Sequence, residues 1–229
     1  MAVRFGTDGW RGVIADDFTF DAVRAVAQAI ADLVHEEGRA GSPVPIGHDV
    51  RFLSLRFAEA VAGVLEGNGI PTVLPDAPTT TPMVSCQVVA SAAPLGICIT
   101  ASHNPPQYNG LKVKAAFGGS APPEQTARIE ALIGRRTPRQ GRAPERRHPF
   151  LPAYVPRLNS VVDLEAIRAA PLRVVVDSMH GAGGRILEGL LRGGRIRVMT
   201  LHGEPDVLFG GVAPEPRPES LGPLSEAVV

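Results

Sequence analysis

The residues best suited to chemistry lie in one run, Thr100-Ala101-Ser102-His103-Asn104-Pro105-Pro106-Gln107-Tyr108-Asn109-Gly110-Leu111-Lys112. The run follows an apolar segment, 95–100, with the unbroken hydrophobic character of a buried central strand. Loops at the carboxyl ends of such strands are where open α/β sheets bind ligands. Ser102 beside His103 raises nucleophilic chemistry. Two features weaken a serine hydrolase: there is no G-x-S-x-G elbow, and a histidine next in sequence is poorly placed to act as base for its own neighbour. A serine that carries phosphate fits better, because an imidazole, two amides and nearby ammonium groups all donate to phosphate oxygens. Pro105 and Pro106 stiffen the loop, and Asn109-Gly110 reads as a tight turn. That turn returns the chain to a strand over 111–115, where Lys112 and Lys114, two residues apart, share one face. The competing reading is a polar hairpin with a capping serine and two solvent-facing lysines.

Lysine usage adds weight to this region. Of 23 basic residues only Lys112 and Lys114 are lysine, the other 21 being arginine. A coding bias toward arginine explains the ratio. A lysine that persists against that bias points to a need for an ammonium that can exchange its proton, which a guanidinium does not do at useful pH.

Several function classes are excluded or disfavoured by composition. The 23 basic and 23 acidic residues give a formal net charge of +0, so bulk charge does not drive binding to nucleic acid. No window approaches the length of a membrane-spanning apolar helix, so no membrane partner is expected. Two cysteines in 229 residues cannot frame a disulfide scaffold. A reducing, cytoplasmic setting is the expectation. Weaker signals resolve to local structure. His180-Gly181-Ala182-Gly183-Gly184 fails the dinucleotide fingerprint because position 186 is isoleucine. The glycines at 6–12 fail the P-loop pattern. Asp16-Asp17 reads as the cap region of the following helix rather than a metal pair, and the six histidines show no ligand spacing.

The elements that must hold the loop alternate. The first twelve residues read as a short strand followed by a tight loop. Helices are expected over 20–37, where Val23, Val26, Ala27, Ile30, Leu33 and Val34 form one stripe, and over 54–66, 83–91 and 122–133. Strands are expected over 44–47, 70–74, 95–100 and 111–115. Strands alternating with helices define an α/β fold with a mixed sheet layered between helices. The run 134–148 holds six arginines and almost nothing apolar, and reads as a surface linker. Beyond it a helix over 154–169, strands at 173–177 and 195–201 with a helix at 186–192 between them, and a final helix over 218–229 form a second α/β domain. The expected boundaries are 1–148 and 149–229, the second domain being incomplete.

The loop TASHNPPQYNGLK resembles the phosphoserine loop of the α-D-phosphohexomutase family. FGTDGWRGVIADDF, GHDVR, PTTTP, VVVDSMHGAGG and FGGVAPEPRPESL also resemble that family's motifs, in order along almost the whole chain. The opening and the SHNPPQYNG loop look more like the phosphoglucomutase and phosphomannomutase branches than the phosphoglucosamine mutases. The resemblance implies transfer of phosphate between O1 and O6 of a hexose through a phosphoserine at Ser102 and a bisphosphate intermediate. It implies His103 as a neighbour in the reacting region, Lys112 as the proton-exchanging lysine, Arg11 against the phosphate, and Thr7, Asn104 and Asn109 as phosphate- or substrate-binding residues. It further implies Mg²⁺ held partly through the Ser102 phosphate, a hexose 1,6-bisphosphate as activator, and hexose phosphates as partners. The family's Asp-rich metal loop and its two later domains are not in this sequence. The chain is therefore expected to be a fragment that is inactive alone. The alternative is a non-catalytic sugar-phosphate-binding or scaffold derivative.

Overall fold

The computed structural model of the chain describes residues 3–6, 9–145 and 147–228. The chain divides into two compact units. One comprises the residues up to Ala101 together with 107–154, the other Ser102–Pro106 together with the residues from Val155 on.

In the first unit the elements run β1 (Trp10–Val13), α1 (Phe20–Glu36), β2 (Val44–His48), α2 (Ser54–Gly67), β3 (Thr72–Val73), α3 (Thr81–Ala90), β4 (Leu95–Ile99), β5 (Tyr108–Ala115) and α4 (Pro123–Leu132). The sheet order is β1-β5-β4-β2-β3. β3, β2 and β4 are mutually parallel, and β5 is antiparallel to both β4 and β1. The expected stripe of α1 is buried, and with Ile46, Ile97, Ile99, Leu111 and Val113 from the sheet and Phe57, Val61 and Leu65 of α2 it forms the main core. On the opposite face Gly47 and Gly96 let α3 approach. A Cβ at Gly96 would stand 2.3 Å from Val88 Cγ2. The mixed sheet is thus layered between helices, as the alternation predicts.

Three local readings are corrected. The N-terminal strand follows its glycine-rich loop instead of preceding it, because Trp10, 5% exposed, is paired with Leu111 of β5. The cap of α1 is Thr19, whose Oγ1 accepts from the Ala22 N–H at 3.2 Å. Asp17 instead accepts from the Val13 N–H at 3.4 Å and closes the turn before it. Asn109-Gly110 is strand, not turn: Asn109 pairs with Gly12 and Gly110 with Arg11. Gly110 is required there by crowding, since a Cβ would lie 2.7 Å from both Thr100 O and Trp10 O.

The arginine-rich run is mostly exposed but pinned at several points. Gly141 N–H donates to Gly63 O at 2.8 Å and His148 N–H to Leu74 O at 2.9 Å. Arg139 N–H donates to Gln28 Oε1 at 2.9 Å. Gln28 is buried on α1, and its amide also donates to Asp32 and Asn68. The run is a strap along α1 and α2.

The second unit carries α5 (Leu151–Asn159, which begins in the first unit), α6 (Leu164–Ala169), β6 (Arg173–Asp177), α7 (Ile186–Leu191), β7 (Arg197–Leu201) and α8 (Gly222–Val228). β6 and β7 are parallel, in register from Arg173↔Arg197 to Asp177↔Leu201. Leu164, Leu191 and Ile196 make a small core. The single helix expected over 154–169 is two, because Asp163 Oδ1 caps a new start through the Ala166 N–H at 2.9 Å. The helix expected over 218–229 is a 3₁₀ turn, Pro218–Ser220, followed by α8. Among the described residues no helix is long and apolar enough to cross a membrane; Cys86 is half-buried and Cys98 buried.

Candidate active site

Two loops leave the carboxyl ends of the parallel strands β2 and β4 side by side. The Asp49 N–H donates to Ile99 O at 3.0 Å, tying the first residue after β2 to the last of β4. This edge of an open α/β sheet is where ligands bind. Ser102 lies on the loop after β4. It is exposed, with a backbone φ of 59°, in the left-handed region that a serine adopts only at a cost of about 1 kcal/mol or more. Its Oγ lies 3.4 Å from Nδ1 of the likewise exposed His103. Asn104 is half-buried on the same loop.

The cations lie on β5, which pairs with β4, and on β1 beyond it. Gly110, Lys112 and Lys114 alternate onto the sheet face that meets α3, since Lys114 pairs with Gly96 and Lys112 with Cys98. Arg11 pairs with Gly110 and shares that face, its Cγ 3.1 Å from where a Cβ of residue 110 would stand. Arg11 is half-buried and Lys112 is 6% exposed. Gly9, at φ 99°, lies over Lys112, and a Cβ there would stand 2.9 Å from Lys112 Cγ. The two lysines are therefore enclosed, not solvent-facing. Lys114 Nζ donates to Ser120 Oγ at 3.3 Å, which gives it a structural partner. Thr7 lies outside the described residues.

Asn109 is placed differently from the sequence expectation. It has no exposed surface; its Nδ2 donates to Ser54 Oγ at 2.9 Å, and its Oδ1 accepts from the Gly110 N–H at 2.8 Å. Both ends of the amide are used inside the fold, so it positions β5 and does not face a ligand. The residues that sequence reasoning leaves without a task are Asp49, Arg51 and Ser54. Arg51 Nε pairs with Asp49 Oδ2 at 3.1 Å, with no exposed surface on its own side chain. Burial holds the guanidinium below its usual value against the pull of Asp49, and the nearby Arg11 lowers it further. A signal for the pair exists in the sequence, since Asp49-Val50-Arg51 puts two opposite charges directly after a buried strand.

The comparisons agree with this architecture. A family model described as phosphoglucomutase/phosphomannomutase, alpha/beta/alpha domain I, matches residues 2–140, and the corresponding domain II model matches 152–229. The chain belongs to the phosphoglucomutase/phosphomannomutase family. A phosphoglucomutase/phosphomannomutase of Thermococcus kodakarensis is 31% identical over 100% of the chain and 51% of the relative. A phosphoglucosamine mutase of Frankia alni is 34% identical over 90% of the chain and 47% of the relative. Relatives of both names match about equally, so the branch expected from the opening and the loop is not singled out. Among solved structures, a Thermus thermophilus protein assigned as a phosphomannomutase superposes with a TM-score of 0.90 at 41% identity, covering 100% of this chain and 52% of that one. The chain spans about half the length of the curated relatives it matches.

Proposed function

We propose that this chain is the phosphoryl-carrying part of a phosphohexomutase, with Ser102 as the residue that holds the phosphate. The observation that carries the reading is an exposed serine, held at positive φ on the carboxyl-end loop of β4. In the forward step the bond from phosphorus to Ser102 Oγ breaks as a hydroxyl oxygen of a hexose phosphate bonds to phosphorus. The hydroxyl proton passes to the Lys112 amine, and the ammonium so formed returns a proton to Ser102 Oγ as the phosphoryl group leaves. The bisphosphate so formed returns its other phosphoryl group to Ser102, which completes an exchange between O1 and O6. Phosphoryl transfer has a loose transition state, so the work is positioning and charge neutralisation. Arg11 supplies a fork matched to phosphate oxygens, and His103, Asn104 and Thr7 supply further hydrogen-bonding groups. The names of the relatives point to glucose, mannose or glucosamine phosphates as the substrate class. In this reading the Ser102 phosphate would contribute to holding Mg²⁺, which would neutralise phosphoryl charge. Among the described residues no group of three or more His, Cys, Asp or Glu could hold a metal, so these residues alone do not build a site for the ion.

The test is phosphate mapping after incubation with a hexose 1,6-bisphosphate, in a mutase completed by the C-terminal half of a family member. One phosphoryl group on Ser102, absent in Ser102→Ala together with all turnover, is the expected result. Phosphate on Ser85 or Ser178, with Ser102 unmodified and replaceable, overturns the assignment.

A further inference from the structure

The turn between β2 and α2 has no task in the reaction above, yet it contains a buried ion pair and a strained residue. Arg51 donates from Nε to Asp49 Oδ2 at 3.1 Å and from its backbone N–H to Asp49 Oδ1 at 2.9 Å. Its Nη1 crosses to Tyr108 O at 3.0 Å, the first residue of β5. Asp49 Oδ1 also accepts from Ser54 Oγ at 2.6 Å, and Ser54 Oγ accepts from Asn109 Nδ2. Leu53, inside the turn, has a φ of 61°. A buried charge pair is a poor device for stability alone, because desolvation offsets most of the attraction and apolar residues of similar volume do as well. A fixed fork is a good device for holding two backbone segments at one spacing. The segments held here are the two ends of the loop that carries Ser102. On the outgoing side Asp49 is tied to Ile99, and Thr100 N–H donates to Gly110 O at 2.9 Å. On the return side Arg51 holds Tyr108, Asn109 is tied to Ser54, and the Ile14 N–H donates to Gln107 O at 2.9 Å.

We propose that Arg51, with Asp49 as its counter-ion, is the positioning residue of the phosphoacceptor loop: it fixes where the loop returns to β5 and so the aim of Ser102. The inference rests on the function proposed above for Ser102, and it is tested at two levels so that the two can fail separately. The first is amide hydrogen exchange on the chain as it stands. Arg51→Lys keeps the charge but loses the fork, and exchange at Thr100 and at 108–110 should rise by about tenfold, with α1 and α4 unchanged. The second is turnover in the completed mutase. A misaimed nucleophile should lower kcat by about 100-fold, with KM within about threefold of the parent. Should Arg51→Lys not fold, Ser54→Ala decides; it cuts the link from Asp49 to Asn109 without altering charge and should show the same pattern, weaker. Parental exchange and kcat in the variant that folds, a loss confined to KM, or exchange raised equally in α1 and α4 would each overturn the proposal. A completed parent that transfers no phosphate sinks the function of Ser102, while the exchange pattern still accepts or rejects Arg51 as the holder of the loop.

Discussion

Replacing Gly110 by alanine tests whether β5 is packed as described. A Cβ at this position would stand 2.7 Å from Thr100 O, just past the end of β4, and 2.7 Å from Trp10 O of β1, with Arg11 Cγ at 3.1 Å. The strand cannot move away from one oxygen without approaching the other. Overpacking of this kind costs about 1–3 kcal/mol, and displacing the Thr100-to-Gly110 hydrogen bond adds about 1 kcal/mol. The sum is about 2–4 kcal/mol, or a fall in Tm of roughly 5–15 °C for a chain of this size. Urea and thermal unfolding of the chain measure it. Gly189→Ala is the control: it lies in α7 with nothing within 4 Å of the added carbon, so it should be neutral or stabilise by up to about 1 kcal/mol. Gly110→Asn separates packing from turn chemistry, because a left-handed turn accepts asparagine and a crowded strand does not. Gly110→Ala within about 0.5 kcal/mol of the parent, or Gly110→Asn tolerated, would refute the assignment.

Two further predictions concern the strap and the second unit. A Cβ at Gly67 would stand 2.3 Å from Arg139 O and 2.7 Å from Gly141 N; Gly67→Ala should therefore lift the strap and speed tryptic cleavage after Arg139 by about tenfold, a shift of about 1.4 kcal/mol in local opening. Unchanged cleavage rates would show that the strap is not held there. Asp206 accepts from the N–H groups of Leu208 and Gly210, each at 2.9 Å, and these bonds hold its carboxyl below the ordinary 3.8. With the folded value depressed, the stability it lends is complete above about pH 4 and is lost as pH falls through the folded value. Amide exchange at Leu208 and Gly210, corrected for its intrinsic pH dependence, should rise on acidification below about pH 4, and Asp206→Asn should flatten that rise. A parent without it would remove Asp206 as its source.

Periodicity makes most of the frame legible. The stripe from Val23 to Val34 and the run from Leu95 to Ile99 are buried as their patterns require. The structure departs from the sequence reading where a local signal competes with a distant contact. Asn109-Gly110 has the composition of a hairpin turn, but pairing with Arg11 and Gly12, far away in the chain, draws it into the sheet. The arginine-rich strap reads as a linker because its anchors are backbone groups and glycines, Gly63, Gly67 and Gly141, which carry no hydrophobic signal. Ser102 can be singled out from its neighbours, but its positive φ cannot, because nothing in a serine side chain favours that region. The Asp49-Val50-Arg51 signal is weak by comparison, because two opposite charges after a strand look like surface charge until the burial of Arg51 is known.

The lysine ratio supports a narrower conclusion once the side chains are placed. Both lysines that remain against 21 arginines are buried on one face of β5, at 6% and 7% exposure. Persistence therefore has two available causes, chemistry and space. A guanidinium is wider than an ammonium, and the slot beside Gly96 that holds Lys114 leads to Ser120 Oγ, where a compact donor suffices. Lys114 thus has a packing reason to remain lysine, and its survival says nothing about catalysis. Lys112 shares that burial but lies nearer Arg11, on the part of β5 crossed by Gly9. Methionine at each position removes the amine while keeping a stem of similar length. Lys114→Met should stay within about 1 kcal/mol of the parent, as replacement of buried charges by apolar groups commonly does, and should leave turnover of the completed mutase intact. Lys112→Met should lower turnover by roughly 10²- to 10⁴-fold, the range for loss of a proton-transfer group. Lys112→Arg should fall in the same range, since it restores charge without an exchangeable proton. Equal loss in both methionine variants would mean that the face acts only through its summed charge, and Lys112→Arg at near-parental rate would leave Lys112 a neutralising cation.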